Sequence, residues 1–109
     1  MNKYTELSDF EINKKVAEYL KLNTIAYERT EIVLFDDVDA TPFDPCNNPT
    51  DAMPIIIENE ISMIKSSGGW MCCHGSVGLV ERESLYRGAM EVFLMMKDAE
   101  NEKIRPNLL

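Results

Sequence analysis

Four side chains in this sequence are soft metal ligands or potential nucleophiles: Cys46, Cys72, Cys73 and His74, the single histidine. Cys46 precedes a predicted helix start, a position that lowers the pKa of a thiol. With His74 as its base, Cys46 would form a nucleophile and base pair. Nothing in the sequence brings the two together, and no third residue is placed to orient the base. A small enzyme that uses Cys46 or a carboxylate site is therefore an alternative, and no catalytic residue is assigned.

The spacing of the metal-ligand types does not fit a known site. Cys72 and Cys73 are adjacent, so on a strand they point to opposite faces, whereas a structural zinc site brings cysteines in C-x₂₋₄-C pairs. The acidic segment from Asp37 onward resembles a calcium loop, but Pro42 and Asn48 occupy the positions that need glycine and glutamate. No metal and no cofactor are assigned.

The stretch Phe43–Ile57 is the candidate functional segment. It contains three of the five prolines, two adjacent asparagines and a cysteine, and it ends in three isoleucines. This composition predicts a rigid loop docked against the core, with an architectural role first and a role as recognition surface second. Trp70 is likewise more often a core residue than a binding anchor. The predicted recognition loop or groove consists of Asp44, Cys46, Asn47, Asn48, Asp51 and Trp70.

The charge distribution limits the classes of partner. The 109-residue chain has a net charge of −8, and no basic residue lies between Arg29 and Lys65. Binding to a phosphate backbone needs clustered Lys and Arg, so direct DNA binding is not expected. An acidic domain can instead meet a basic protein surface, but acidic residues of this kind are more often simply solvated surface charge. The sequence has no apolar run long enough for a membrane helix and no signal-peptide core, so we expect a cytoplasmic protein.

Helix signals are strongest near the two ends of the chain. Ser8 and Glu11 form a capping-box pattern at the start of a predicted first helix, with Asn23 as its stop. The last helix is predicted from about Ser84 to Glu100 and is apolar around most of its circumference. Such a helix is either central in the core or part of an interface, so a homodimer through it is one expected arrangement.

Short segments rich in β-branched and aromatic residues predict two hairpins. The first joins Thr24–Tyr27 to Glu31–Phe35. The second joins Ile61–Lys65 to Trp70–Cys73 through a four-residue loop, and His74–Arg82 is predicted to be loop because of its glycines. A middle helix starts at either Asn48 or Asp51, and we favour regular helix from Ala52 to about Asn59.

These elements predict an α+β fold with the order α-β-β-α-β-β-α. A small antiparallel sheet of two hairpins would pack with about three helices in a single domain, residues 1–109. Residues 101–109, which include Pro106, are expected to form a frayed tail.

Several segments resemble the NinX-like proteins of lambdoid phages and prophages. The resemblance covers Leu7–Lys14, Phe43–Pro49 with Asp51, Pro54–Ile56, Ile61-Ser62, Trp70, Ala89-Met90 and Val92–Leu94. It extends over nearly the whole chain in order, and the stretch Cys46–Pro49 is its most specific part. It departs mainly in 24–40 and 71–84, and in Leu85–Ala89, where family members show a Pro-Leu-Arg-Ala-Ala-like run.

The resemblance implies a small phage accessory protein in the cytoplasm of the bacterial host, and it carries no known activity. With the acidic composition, the leading expectation is a non-enzymatic protein-interaction module with an unidentified phage or host protein as partner. A second alternative is an accessory factor in phage DNA recombination or regulation, the context of the gene region that the family implies.

Overall fold

The computed structural model describes residues 2–104, with side chains to residue 102. Three helices and five strands follow one another in the order α-β-β-α-β-β-β-α, which confirms the α+β class. The elements are α1 (Asp9–Tyr19), β1 (Thr24–Tyr27), β2 (Ile32–Phe35), α2 (Pro49–Glu58), β3 (Ser62–Ser66), β4 (Gly69–His74), β5 (Gly78–Arg82) and α3 (Leu85–Ile104). The strands form two antiparallel sheets, β1-β2 and β3-β4-β5.

Helix α1 has the predicted capping box. The Ser8 hydroxyl accepts a hydrogen bond from the Glu11 N–H at 3.2 Å, and the Glu11 carboxylate accepts from the Ser8 N–H at 3.1 Å. The predicted stop at Asn23 is wrong, because the helix ends at Tyr19. Lys21 adopts a left-handed φ of 57°, and the Leu22 N–H bonds back to the Ala17 carbonyl at 3.0 Å. This Schellman arrangement closes the helix early.

Helix α2 starts at Pro49, not at the favoured Ala52, so the alternative with Asn48 as cap is correct. The Asn48 side chain accepts from the Thr50 N–H at 3.0 Å, and Pro49 takes the first helical position, where a missing N–H costs nothing. Pro54 lies inside the helix. The burial of Ile55 and Ile56 offsets the hydrogen bond that Pro54 cannot donate.

The three-stranded sheet corrects two predictions. Ser66 pairs with Gly69, so the β3–β4 loop has two residues between paired positions instead of four. The prediction of loop over His74–Arg82 is wrong, because Gly78–Arg82 pairs with β4 as β5. Gly78, with a left-handed φ of 94°, completes the turn after His74 and lets the chain reverse. Val80 then faces the core, which gives the short strand its stability.

Helix α3 is central. It contacts β4, β5, α1 and α2, and its residues from Ala89 to Leu94 are all buried within the single chain. This burial accounts for its apolar circumference without a second copy. The helix continues to Ile104, so it includes the first residues of the segment expected as a tail. The remainder of that segment, residues 105–109, lies outside the described residues.

Candidate functional site

Side-chain hydrogen bonds hold the segment Phe43–Asp51 against α1. The Asn13 amide donates to the Asp44 carboxylate at 2.7 Å, and its oxygen accepts from the Cys46 N–H at 3.1 Å. The Asp51 carboxylate in turn accepts from the Asp44 N–H at 2.9 Å. Asn13 and Cys46 are buried, so these bonds form in a region of low dielectric. The loop is therefore fixed to the helix at several points.

The adjacent residues Asn47 and Asn48 form different hydrogen bonds. Asn48 caps α2 through its side-chain oxygen. Asn47 is exposed, and its amide donates to the Asp9 carboxylate at 3.2 Å and to the two oxygens of Asp44 at 3.1 and 3.2 Å. Asn47 thus ties the loop to the first turn of α1 while its surface stays accessible.

Cys46 belongs to this loop, and it is fully buried. Its Sγ lies 3.8 Å from the Asp9 carbonyl oxygen. Burial raises the pKa of the Cys46 thiol well above its ordinary value, and the nearby Asp9 carboxylate raises it further. The His74 Nδ1 lies 2.8 Å from the Ser76 hydroxyl, and among the described residues no hydrogen bond joins His74 to Cys46. A protonated, enclosed thiol is a poor nucleophile.

Beneath the loop lies a buried ionic network centred on Arg87 and Glu91 of α3. The Arg87 Nε donates to the Glu91 carboxylate at 2.8 Å, and its Nη1 donates to Asp9 at 2.8 Å. Its Nη2 donates to the carbonyls of Tyr4 at 2.9 Å and Leu7 at 2.7 Å. Burial alone would lower the pKa of Arg87, but its hydrogen bonds to Asp9 and Glu91 outweigh burial and raise it.

The second cation of this network comes from β5. The Arg82 guanidinium donates two hydrogen bonds, at 3.0 and 2.9 Å, to the fully buried Glu91. The Nη2 that donates to Glu91 also donates to the Thr5 hydroxyl at 2.7 Å. This cluster was not predicted from the sequence. Its detectable signal was the four-residue spacing of Arg87 and Glu91 inside an otherwise apolar helix.

A cleft of about 380 Å³ lies between α1, β2 and the loop. Its apolar lining residues are Phe10, Ile32, Val33, Pro42 and Phe43, and its polar ones are Asp9, Asn13, Glu31, Asp44 and Asn47. The lining contains three carboxylates, two amides and no Lys or Arg. The cleft is therefore an apolar depression with a negatively charged polar side.

The predicted recognition residues do not form one continuous groove. Asp44 and Asn47 line the cleft, whereas Cys46, Asn48, Asp51 and Trp70 are not among its lining residues. Trp70 pairs with Arg82 across the three-stranded sheet and packs partly buried against the core. Lys65 lies over its ring at 5.6 Å from the centroid. The loop and Trp70 are thus parts of different surfaces.

The β1–β2 hairpin presents an apolar face to solvent. Tyr27 pairs with Ile32 and Ile25 pairs with Leu34, so these four side chains share one face. Ile25, Tyr27 and Ile32 are 41%, 46% and 41% exposed. The opposite face packs inward, with Val33 buried and Phe35 edge-on to Phe43 at 5.6 Å. Ile32 also lines the cleft, so the exposed face and the cleft are continuous.

The acidic loop after β2 is organised by its own backbone. The Asp37 carboxylate accepts hydrogen bonds from the N–H groups of Asp39 at 3.1 Å and Ala40 at 2.8 Å. This is an Asx-type turn. Across residues 2–104, no three or more His, Cys, Asp and Glu side chains are grouped so as to hold a metal ion.

A second polar cluster ties both ends of the fold together. The Tyr4 phenol donates to one oxygen of the Asp98 carboxylate, and the Tyr19 phenol donates to the other at 2.5 Å. The Lys3 Nζ lies 3.4 Å from the same carboxylate. Burial raises the pKa of Tyr4, and the Asp98 carboxylate adds to that rise. Burial would raise the pKa of Asp98, but the hydrogen bonds from Tyr19 and Tyr4 together with Lys3 hold it below its usual range.

Three helices with two small antiparallel sheets place the chain in the class of small α+β proteins. Residues 3–97 match the family described as Bacteriophage P22, NinX. The chain belongs to this NinX-like phage protein family, which confirms the resemblance in the sequence, and it is a phage accessory protein. Searches of the curated proteins and of the solved structures found no match.

No helix within residues 2–104 is long and apolar enough to span a membrane.

Proposed function

We propose that this phage accessory protein is a non-enzymatic interaction module that binds another protein, phage or host, in the cytoplasm of the bacterial host. The binding surface is the hairpin–cleft surface, defined as Ile25, Tyr27 and Ile32 together with the residues that line the cleft. The observation that carries the proposal is the continuity of an exposed apolar hairpin face with a shaped depression, joined at Ile32. Contiguous exposed apolar surface of this kind marks interaction sites.

The rigidity of the surrounding structure supports the proposal. Asn13 and Asn47 fix the loop wall of the cleft to α1, and Asn48 and Asp51 fix the start of α2 beside it. A surface held in one conformation loses little entropy when a partner binds. In this proposal Asp44 and Asn47 contact the partner. Cys46, Asn48 and Asp51 hold the loop in place, while Trp70 supports the three-stranded sheet.

The alternatives gain no specific support. The thiol of Cys46 is enclosed and its pKa is raised, which opposes an enzyme that uses it. The net charge of −8 opposes direct contact with nucleic acid in recombination or regulation. The apolar residues of α3 from Ala89 to Leu94 are used within the chain, so a homodimer through that helix has little apolar surface there to use.

A capture experiment with a matched pair of variants tests the proposal. Proteins that the tagged chain retains from phage-infected cells are identified, then produced separately, and their affinity for the purified chain is measured. Ile32→Gln should weaken that affinity about 5- to 30-fold, since truncating an interface anchor costs about 1–2 kcal/mol. Ile57→Gln is the control, because Ile57 is 68% exposed on α2, outside the hairpin–cleft surface.

Thermal unfolding of both variants verifies that each remains folded. The proposal fails if no partner survives reconstitution from purified components, or if Ile32→Gln and Ile57→Gln bind the partner equally well.

A further inference from the structure

The charges in the cleft are only partly compensated. Asp9 is paired with Arg87 at 2.8 Å. Asp44 accepts hydrogen bonds from the amides of Asn13 and Asn47, which carry no net charge. Among the residues that the structure describes, neither Asp44 nor Glu31 forms a salt bridge. Two carboxylates of the cleft therefore lack a cationic partner.

These two carboxylates stand beside apolar side chains. Glu31 immediately precedes Ile32, and its N–H donates to the Tyr27 carbonyl at 2.8 Å, which fixes the point where its side chain leaves the hairpin. Asp44 immediately follows the buried Phe43 and is tied to α1 through Asn13. The cleft thus combines fixed negative charge with an apolar lining over a short distance.

Building on the proposed function, we infer that the partner inserts a lysine or arginine side chain into this cleft, next to apolar residues that cover the hairpin face. The alkyl stem of such a side chain packs along apolar surface while its cationic head reaches a carboxylate. Here the stem lies against Phe10, Ile32 and Phe43, and the head meets Asp44 and Glu31.

Other occupants fit less well. A purely apolar segment would displace the water that hydrogen-bonds to Asp44 and Glu31, and it would offer these carboxylates no hydrogen bonds in return. Such desolvation is unfavourable. An acidic segment would meet like charge in the cleft and from the net charge of −8. A hard divalent cation needs six or more oxygen ligands, whereas no metal-holding group of carboxylates occurs among residues 2–104.

Selection from short random peptides displayed on a carrier tests the inference with the full-length chain as target. The selected peptides should combine apolar residues with at least one Lys or Arg. Replacing that residue by its neutral isostere, citrulline for Arg or norleucine for Lys, should weaken binding about five-fold, and added salt should weaken the parent peptide more than the neutral one.

A matched pair of variants locates the effect. Glu31→Gln should weaken the selected peptides about five-fold, because it removes one exposed charge pair. Glu58→Gln should leave binding unchanged, since Glu58 is exposed at the far end of α2, about 15 Å along the helix from the loop. Glu31 is exposed and its side chain forms no salt bridge among the described residues, so we expect this variant to stay folded.

The outcomes separate this inference from the proposed function. Peptides that lose affinity with Ile32→Gln but not with Glu31→Gln, or that bind equally well without their basic residue, overturn the inference and leave the hairpin–cleft surface as the interaction site. Failure to select any peptide also overturns the inference of a basic side chain in the cleft. The proposed function is then tested separately, by the partner captured from infected cells.

Discussion

A single guanidinium, that of Arg87, contacts segments that are far apart in the sequence. It joins the carbonyls before α1, the Asp9 carboxylate in the first turn of α1, and Glu91 one turn further along α3. Of these groups the Glu91 carboxylate is fully buried, whereas the Asp9 side chain is 44% exposed. Buried charges of this kind are tolerated only when all of them are paired.

Arg87→Met should therefore destabilise the protein by about 2–4 kcal/mol, because Glu91 keeps Arg82 but loses its second cation, and the carbonyls of Tyr4 and Leu7 lose a donor. Urea unfolding measures the change. Arg29→Met is the control, since Arg29 is exposed in the β1–β2 turn and its loss should cost less than about 0.5 kcal/mol. Similar unfolding midpoints for the two variants would contradict the importance of the network.

The tyrosines that contact Asp98 give the stability a dependence on alkaline pH. The pKa of Tyr4 is raised above its unfolded value of about 10. Its contribution to stability is therefore complete below about pH 10 and is lost as the pH rises from there toward the folded pKa. Tyr4→Phe removes this contribution, so it should be less stable at neutral pH and lose less stability above about pH 10.

Unfolding midpoints in urea across the alkaline range measure this difference. Tyr27→Phe serves as the comparison, because Tyr27 is 46% exposed on the hairpin, whereas Tyr4 is buried and bonded to Asp98. If Tyr4→Phe and the wild type lose stability in parallel above pH 10, the Tyr4 hydroxyl, through its burial and its hydrogen bond to Asp98, does not cause the alkaline loss of stability.

At the scale of elements, the three-stranded sheet depends on close backbone approach at one glycine. A Cβ added to Gly69 would lie 2.4 Å from the Arg82 carbonyl oxygen and 2.8 Å from the Glu83 Cα. Both are backbone atoms of the β5 end, so they move only if the strand moves. This contact matters for the site as well, since Arg82 supplies one of the two cations on Glu91.

Gly69→Ala should destabilise the protein by about 1–3 kcal/mol through this overlap. Gly68→Ala is a close control, because a Cβ there meets nothing within 4 Å. Urea unfolding of both variants tests the contact, and an equally small effect at the two positions would show that β5 can shift without cost.

Elements with local signals could be predicted. The Ser8 and Glu11 capping box lies within one turn, so its hydrogen bonds depend on neighbours in sequence. The start of α2 could not be decided, because Asn48 and Asp51 are both good caps. In the structure the Asp51 carboxylate accepts a hydrogen bond from the Asp44 N–H, and Asn48 is the N-cap of α2. Strand β5 was missed because Gly75 and Gly78 indicate turn, while the strand is stabilised by pairing with β4.

At the scale of the whole molecule, the three cysteines differ in their exposure to solvent. Cys46 and Cys72 are fully buried, and Cys73 is partly exposed on the other side of β4. Burial raises the pKa of Cys72 to about 11 and that of Cys46 further. Access to these thiols is thus governed by the integrity of the fold.

In the native protein near neutral pH, a thiol reagent should modify Cys73 quickly and the other two cysteines only as the protein unfolds. Mass spectrometry after timed labelling measures this, and Cys73→Ser should remove the fast phase. Rapid labelling of Cys46 in the folded protein would contradict its enclosure and would reopen the enzyme alternative.

The sequence by itself determined the α+β class, the two hairpins, the capped first helix and the family, because these depend on local pattern and on specific short motifs. Tertiary structure alone decided the hairpin–cleft surface and the ionic network. Glu31, Asp44 and Asp9 come from three separate segments, and Glu91 meets Arg82 only because β5 pairs with β4. Such contacts between distant segments follow from the packing of the core, which no short-range sequence pattern encodes.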